Sequence, residues 1–364
     1  MKPIGLYIHV PFCAVKCPYC DFYSVNANDS IMDDYTSVLI DRIKSYKGLY
    51  SADTVYIGGG TPSILGTKRL KSILSAVNSS FGNNSQETTI EVNPRSSRFL
   101  DMAVLKEHGI NRVSIGLQSG NSDELEVLGR RHTADDVNRA VEYIKNGGID
   151  NISLDLMLGI SRQTEESLSK SIDFCHKLDV KHISAYILKI EENTPYYNIQ
   201  DKLNIPDDDY VCDLYEHAVE KLKSLGYNQY EISNFCKSGY ESKHNLKYWH
   251  CEEYLGIGPA AHSFIDGKRF YYNRSIDDFR RGIIVEDGTG GDPEEYIAMA
   301  LRLSEGLQYD KYEERFGIKF PERCKKNAEL ISKTKMLTVS SDGINLNPKG
   351  FLCSNSIISK ILYN

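Results

Sequence analysis

Six times between residues 5 and 226 a short apolar run is followed by a segment with helical spacing. This alternation restricts the fold more than any other feature of the chain. The runs GLYIHV (5–10), DTVYIGG (53–59), TTIEVNP (88–94), RVSIGLQS (112–119), NISLDLMLG (151–159) and HISAYILKI (182–190) read as strands. Helical patterns cover 31–46, 67–81, 98–109, 135–148, 164–178 and 208–226. Thr164 with Ser167 opens one of them as a capping box, with Glu165 and Glu166 in its first turn, and Gly109 closes another. Successive β/α units demand a parallel sheet covered by helices. Six units fall short of eight-fold closure. The predicted architecture is therefore α/β, a partial (β/α)₆ TIM-like barrel over residues 1–226, with a doubly wound sheet as the competing arrangement.

Beyond residue 227 the pattern changes. YNQYEISNF and RFYYNR read as antiparallel strands flanking an aromatic, glycine-containing stretch, so 227–290 is expected to be a junction region. Residues 291–364 are mainly helical, with a hairpin around Asp342-Gly343, and are expected to form a smaller α+β, winged-helix-like domain.

Composition narrows the function. A net charge of −7 over 364 residues, with no Lys/Arg-rich run, argues against nucleic acid as a partner and against adhesion to anionic lipid. No apolar run approaches the roughly 20 residues needed to span a bilayer, and MKPIGLYIHVPF lacks the features of a signal peptide. A cytoplasmic location, with reduced thiols and no direct membrane insertion, is expected.

Of nine cysteines only Cys13, Cys17 and Cys20 cluster, spaced C-x₃-C-x₂-C. Zinc would have to recruit a distant Cys or His as its fourth ligand. Three thiolates on a [4Fe–4S] cube leave one iron open, the condition for binding something there, so these cysteines are read as the metal ligands. The ends of the later strands carry polar residues where a sheet buried on both faces should be apolar. The second strand ends in Gly58, Gly59, Gly60, Thr61 and Pro62. The third carries Glu91, the fourth Gln118 with Arg130 just beyond, and the fifth Asp155. Any one of these could be a satisfied core polar group, and GGG alone could be a flexible turn. Together, beside a cysteine loop and at the strand ends where parallel barrels place their chemistry, they indicate a site.

C-x₃-C-x₂-C followed by GGGTP resembles the radical S-adenosylmethionine superfamily. The resemblance implies that the cofactor's amino and carboxylate groups fill the open iron, and that one-electron reduction cleaves the sulfonium. It places Tyr19 against the adenine. YIHVPFC, YIGGGTPS, EVNP, RVSIGLQS, LGRRH, SLDLMLGI and HNLKYW extend the likeness to the oxygen-independent coproporphyrinogen III oxidase group. Matched by motif, Tyr7, Gly59, Gly60, Thr61, Glu91, Gln118, Arg130 and Asp155 are that group's S-adenosylmethionine-binding positions. Phe22 stands where the oxidases carry a further cysteine, and only twelve residues precede Cys13. Both departures resemble the HemW branch of haem chaperones, as does HNLKYW (244–249), which matches H-N-x-x-Y-W. That branch implies haem as a third bound group, with His244 as the iron ligand and Tyr248 and Trp249 beside it. His250, Cys251 and His262 are rivals outside the motif. It also implies delivery of haem to apo-haemoproteins of the respiratory chain, and a homodimer. The alternatives are oxidative decarboxylation of coproporphyrinogen III and radical chemistry on another tetrapyrrole, such as haem-ring opening.

Overall fold

A computed structural model describes residues 1–363. The β/α succession forms as the apolar periodicity requires. It runs β1 (Lys2–Val10), α1 (Asp29–Ser45), β2 (Tyr50–Gly59), α2 (Gly66–Phe81), β3 (Glu87–Val92), α3 (Met102–Glu107), β4 (Arg112–Gln118), α4 (Ser122–Val127), α5 (Ala134–Asn146), β5 (Asn151–Leu158), α6 (Glu165–Lys177), β6 (His182–Ile187) and α7 (Asp208–Ser224). Strands β1 to β6 pair in sequence order and all in parallel, which gives the partial barrel rather than a doubly wound order. Helix starts follow local chemistry. Asn28 accepts from Ile31 N, and Thr133 and Thr164 open capping boxes with Asp136 and Ser167. Helix α3 is shorter than the predicted 98–109. Asp101 caps it by accepting from Val104 N, and Ser97–Phe99 turns as a separate 3₁₀ segment.

The junction residues do not stand apart from the barrel. They comprise β7 (Asn228–Gln229), β8 (Asn234–Cys236), α8 (Lys243–Trp249), β9 (Tyr254–Ile257), β10 (His262–Ile265), β11 (Lys268–Tyr272), α9 (Ile276–Arg281) and β12 (Ile284–Thr289). β8 and β7 extend the sheet antiparallel beyond β6, while β9 returns to lie parallel to β1 and leads into β10–β12. The result is one twelve-stranded sheet among the described residues. The C-terminal part holds α10 (Pro293–Ala300), β13 (Leu307–Gln308), α11 (Tyr309–Phe316), α12 (Glu322–Ser332), β14 (Leu337–Val339), β15 (Gly343–Leu346), α13 (Pro348–Leu352) and α14 (Ser354–Tyr363). Its three strands form a small antiparallel sheet in the order β13-β15-β14, with the predicted hairpin between β14 and β15.

Apolar residues of β1–β6, among them Leu6, Ile8, Ile57, Ile90, Ile115 and Leu154, are fully buried between barrel lumen and outer helices. No helix among the described residues is long and apolar enough to cross a membrane.

Candidate functional site

The loop after β1 carries Cys13, Cys17 and Cys20. It is closed at its base by two backbone bonds, from Cys13 N to Val25 O and from Val25 N to Pro11 O, and pinched by Cys20 N to Cys17 O. All three cysteines line a single mouth at the C-terminal ends of the strands. Among the described residues no three His, Cys, Asp or Glu side chains gather around one ion. Burial pushes the Cys20 thiol up.

The glycine run is a close-packed floor for this loop. A Cβ on Gly60 would lie 2.6 Å from the Phe12 carbonyl oxygen, and one on Gly59, whose φ is +110°, would lie 2.5 Å from the His9 ring. Gly60 N and Thr61 N donate to Val10 O and Phe12 O, and Thr61 Oγ1 sits 3.5 Å from Cys13 Sγ.

Glu91, Gln118, Arg130 and Asp155 line the same mouth, with Gly59, Gly60, Thr61 and Tyr19. Glu91 accepts from Tyr56 Oη at 2.8 Å and from Gly59 N at 3.1 Å. Burial nevertheless raises its pKa to about 7, with nearby Asp155 adding to the rise. Burial also raises Asp155, which accepts from Ser114 Oγ. Arg130 has a buried Nε with no hydrogen-bond partner among the described residues. Gln118 is held at φ +69° and accepts from Tyr186 Oη at 2.6 Å. Two carboxylates and a guanidinium stand in one cavity, none of them in a salt bridge among the described residues, although Arg112 and Arg130 lie near enough to favour the ionised Asp155. A zwitterionic ligand beside the thiol loop satisfies both kinds of group.

Tyr7 is the exception among the residues expected here. It lies below the mouth, bonds His9 Nδ1 at 3.0 Å and does not line the cavity. Sequence reasoning misses Tyr186, Gly116 and Ser114, which do line it. A glycine inside a strand is the available signal for Gly116. A Cβ there would meet Arg130 Nη2 at 2.8 Å.

The segment HNLKYW forms α8, and it plugs the opposite end of the barrel. Ser242 N-caps the helix, and Glu87, at the start of β3, accepts from Lys243 N and His244 N. His244 is 1% exposed. Its Nδ1 pairs with Thr54 Oγ1 at 2.9 Å and its Nε2 with Tyr248 Oη at 2.8 Å, and its ring stacks on Tyr56. Burial lowers its pKa to about 3. Both ring nitrogens of His244 are thus hydrogen-bonded in the ligand-free protein, and an iron ligand at this position would have to give up one of these bonds. Releasing one strands a hydroxyl in the core, at a cost of about 1–3 kcal/mol. Tyr248, which the motif places beside His244, is one of its two partners, and Thr54 from β2 is the other. Trp249 lines a cavity beside β6.

Comparison with known proteins agrees with this geometry. The radical SAM superfamily matches residues 7–175, and the HemN C-terminal domain matches 292–353. The heme chaperone HemW of Lactococcus lactis is 32% identical over 99% of this chain and 98% of its own length. That of Bacillus subtilis is 34% identical over 98% of each. That of Escherichia coli is 37% identical over 74% of this chain and 72% of its own. Among solved structures, the coproporphyrinogen III oxidase HemN of Escherichia coli, described as a radical SAM enzyme, superposes with a TM-score of 0.83. It covers 99% of this chain and 90% of that one at 19% identity, a likeness of fold. By relatives that match it over nearly its whole length, the chain belongs to the HemW family of heme chaperones, built on the radical SAM fold.

Proposed function

We propose that the protein is a cytoplasmic haem chaperone that binds a [4Fe–4S] cluster, S-adenosylmethionine and haem, and passes haem to apo-haemoproteins of the respiratory chain. Cys13, Cys17 and Cys20 hold the cluster. Glu91 and Asp155 receive the N–H groups of the amino group of S-adenosylmethionine, Arg130 its carboxylate, Gln118 and Tyr19 the nucleoside, and Gly59, Gly60 and Thr61 form the wall against which it lies. The observation that carries the cluster and cofactor assignment is the mouth itself: Arg130, with a buried Nε that has no acceptor, and two buried carboxylates line it with the three thiols. When bound, the cluster would supply one electron to the sulfonium. The chain's own residues orient the cofactor and keep water from it. Haem as cargo is supported by the family's name. A homodimer is part of the same proposal.

Decarboxylation of coproporphyrinogen III is the second reading, favoured by the shared fold and opposed by Phe22. Phe22 is 67% exposed on the rim of the mouth, where a further thiol would stand in the oxidases. Anaerobic reconstitution followed by titration with haem and assay with coproporphyrinogen III separates the two. The proposal expects stoichiometric haem binding and no turnover; catalytic formation of the decarboxylated product would make the protein an oxidase.

A further inference from the structure

We propose that Cys212 and Cys353 are a redox-modification site: a low-molecular-weight disulfide of the glutathione class oxidises them to a reversible disulfide that clasps the last barrel helix to the C-terminal part. Neither thiol lines the cofactor mouth.

The nine cysteines divide by their surroundings. Cys13, Cys17 and Cys20 line the mouth. Cys175, Cys236, Cys251 and Cys324 are buried. Cys353 is exposed and Cys212 half-buried, so these two are the thiols outside the cluster loop that solvent reaches. A thiol needs such access to be oxidised.

Far apart in sequence, the two meet through the packing of α7 against α13. Cys212 lies on α7, and Cys353 is the residue that caps α13. Glu216, one turn after Cys212, pairs with Lys349, one turn before Cys353, at 3.3 Å. Tyr215 shares a cavity wall with Leu352 and Ser354, the two neighbours of Cys353 in the chain. Contacts thus move back along α7 as the chain advances from 349 to 354, an antiparallel register that sets Cys353 opposite Cys212. Residues 212, 215 and 216 share one helix face by their spacing. The other face of α7 is turned to α6, where His217 bonds Ser169 and Lys221 pairs with Asp173. The Cα atoms of α7 and α13 approach within 8 Å, close to the roughly 4.4–6.8 Å that a disulfide spans. Burial raises the Cys212 pKa, and Cys353 adds more to the rise than Asp209, Asp208 or Glu216, which sit one turn away on the same helix.

Exposed Cys353 reacts first. Its thiolate attacks one sulfur of the oxidant, forming a mixed disulfide and releasing one thiol of the oxidant. The Cys212 thiolate then attacks the Cys353 sulfur, forming the Cys212–Cys353 bond and releasing the second thiol. Two cysteine thiols are oxidised, one external disulfide is reduced to two thiols, and the two protons lost by the cysteines end on those thiols. Excess thiol drives the same steps backward, so in a reducing compartment the bond is transient. Closure places a covalent tie where an exposed ion pair joins the two parts, and such pairs hold weakly.

The test equilibrates the reconstituted full-length protein with glutathione disulfide in the absence of oxygen. Free thiols, intact mass and proteolytic peptides are read, with the cluster absorbance as the check on folding. The wild type should lose two thiols per chain, yield a peptide linking Cys212 to Cys353, and recover both thiols with dithiothreitol. Its thermal midpoint should rise by roughly 5 °C on oxidation. Cys212→Ser should stop with one glutathione on Cys353, and Cys353→Ser should leave Cys212 reduced over the same time. Any of four results overturns the clasp: a mixed disulfide that persists on Cys353 of the wild type without a bridge, a bridge between chains rather than within one, thiol loss confined to Cys13, Cys17 and Cys20, or no thiol loss at all.

Discussion

Strand β3 carries a glutamate near each end, and the two have opposite surroundings. Glu87, in the floor, accepts from Ser242 Oγ, Lys243 N, His244 N and Thr89 Oγ1, so that helix α8 is tied to the barrel by protein groups alone. Glu91, in the mouth, has two donors and no salt bridge among the described residues, and Arg130 on the same mouth leaves a buried Nε without an acceptor. Four residues apart on one strand, the first carboxylate is finished by the fold and the second waits for a ligand. A single column joins them: Glu91 to Tyr56, and Tyr56 stacked on His244, which bonds Tyr248. Burial of polar groups therefore does not by itself mark a site; what distinguishes the mouth is that its carboxylate has fewer donors than the one in the floor and that a buried guanidinium nitrogen beside it has no acceptor.

The contrast is sharpened most by removing the metal ligands. Cys13→Ala, Cys17→Ala or Cys20→Ala should abolish iron loading, from about four irons per chain to near none, measured by iron and sulfide analysis after anaerobic reconstitution. Next in size are the two glutamates. Glu87→Ala should leave several buried donors of α8 unpaired and lower stability by about 2–4 kcal/mol in chemical denaturation. Glu91→Gln should leave stability of the ligand-free protein equal or greater, because it removes a buried charge, while weakening S-adenosylmethionine about tenfold or more by calorimetry. Equal loss of stability in both variants would erase the distinction between mouth and floor.

The pH dependence separates the two ends further. Glu91 has a folded pKa of about 7 against an ordinary 4.5. A carboxylate raised on folding costs nothing below its unfolded pKa, and its penalty grows as pH rises through the folded value. The ligand-free protein should thus lose up to about 3 kcal/mol between pH 4.5 and 7 through this group. Glu91→Gln should flatten that slope. S-adenosylmethionine, which needs the carboxylate ionised, should bind more tightly as pH rises through 7. The smallest effect expected is that of Tyr186→Phe, which frees Gln118 at one oxygen and should weaken S-adenosylmethionine by less than about tenfold.

Much of this architecture is legible in the order of the amino acids. The alternation of apolar runs and helical spacing is local information, and it specifies β1–β6 and their parallel order. Cysteine spacing and polar residues at strand ends locate the mouth, because strand ends are placed by the same periodicity. What the sequence does not convey is pairing at long range. β9 lies against β1 after more than two hundred intervening residues, and α8 turns into the barrel floor through contacts with Glu87 and Thr54. His244 and Trp249 are five residues apart on one short helix, yet one is sealed and the other faces a cavity. A motif read as one ligand set is divided by the helix's own geometry. Tyr186 is hidden for a related reason: a tyrosine in a strand is ordinary, and only the closing of the barrel brings it to Gln118.

The central claim is that the mouth is an incomplete site whose missing parts are a cluster and a zwitterionic cofactor. The measurement that tests it most directly is electron paramagnetic resonance of the reduced, reconstituted protein, recorded with and without S-adenosylmethionine, in the wild type and in Arg130→Ala. A [4Fe–4S] signal is expected that S-adenosylmethionine perturbs in the wild type and leaves nearly unperturbed at the same concentration in Arg130→Ala. A cluster signal indifferent to S-adenosylmethionine in the wild type, or no cluster with all three cysteines present, would contradict it.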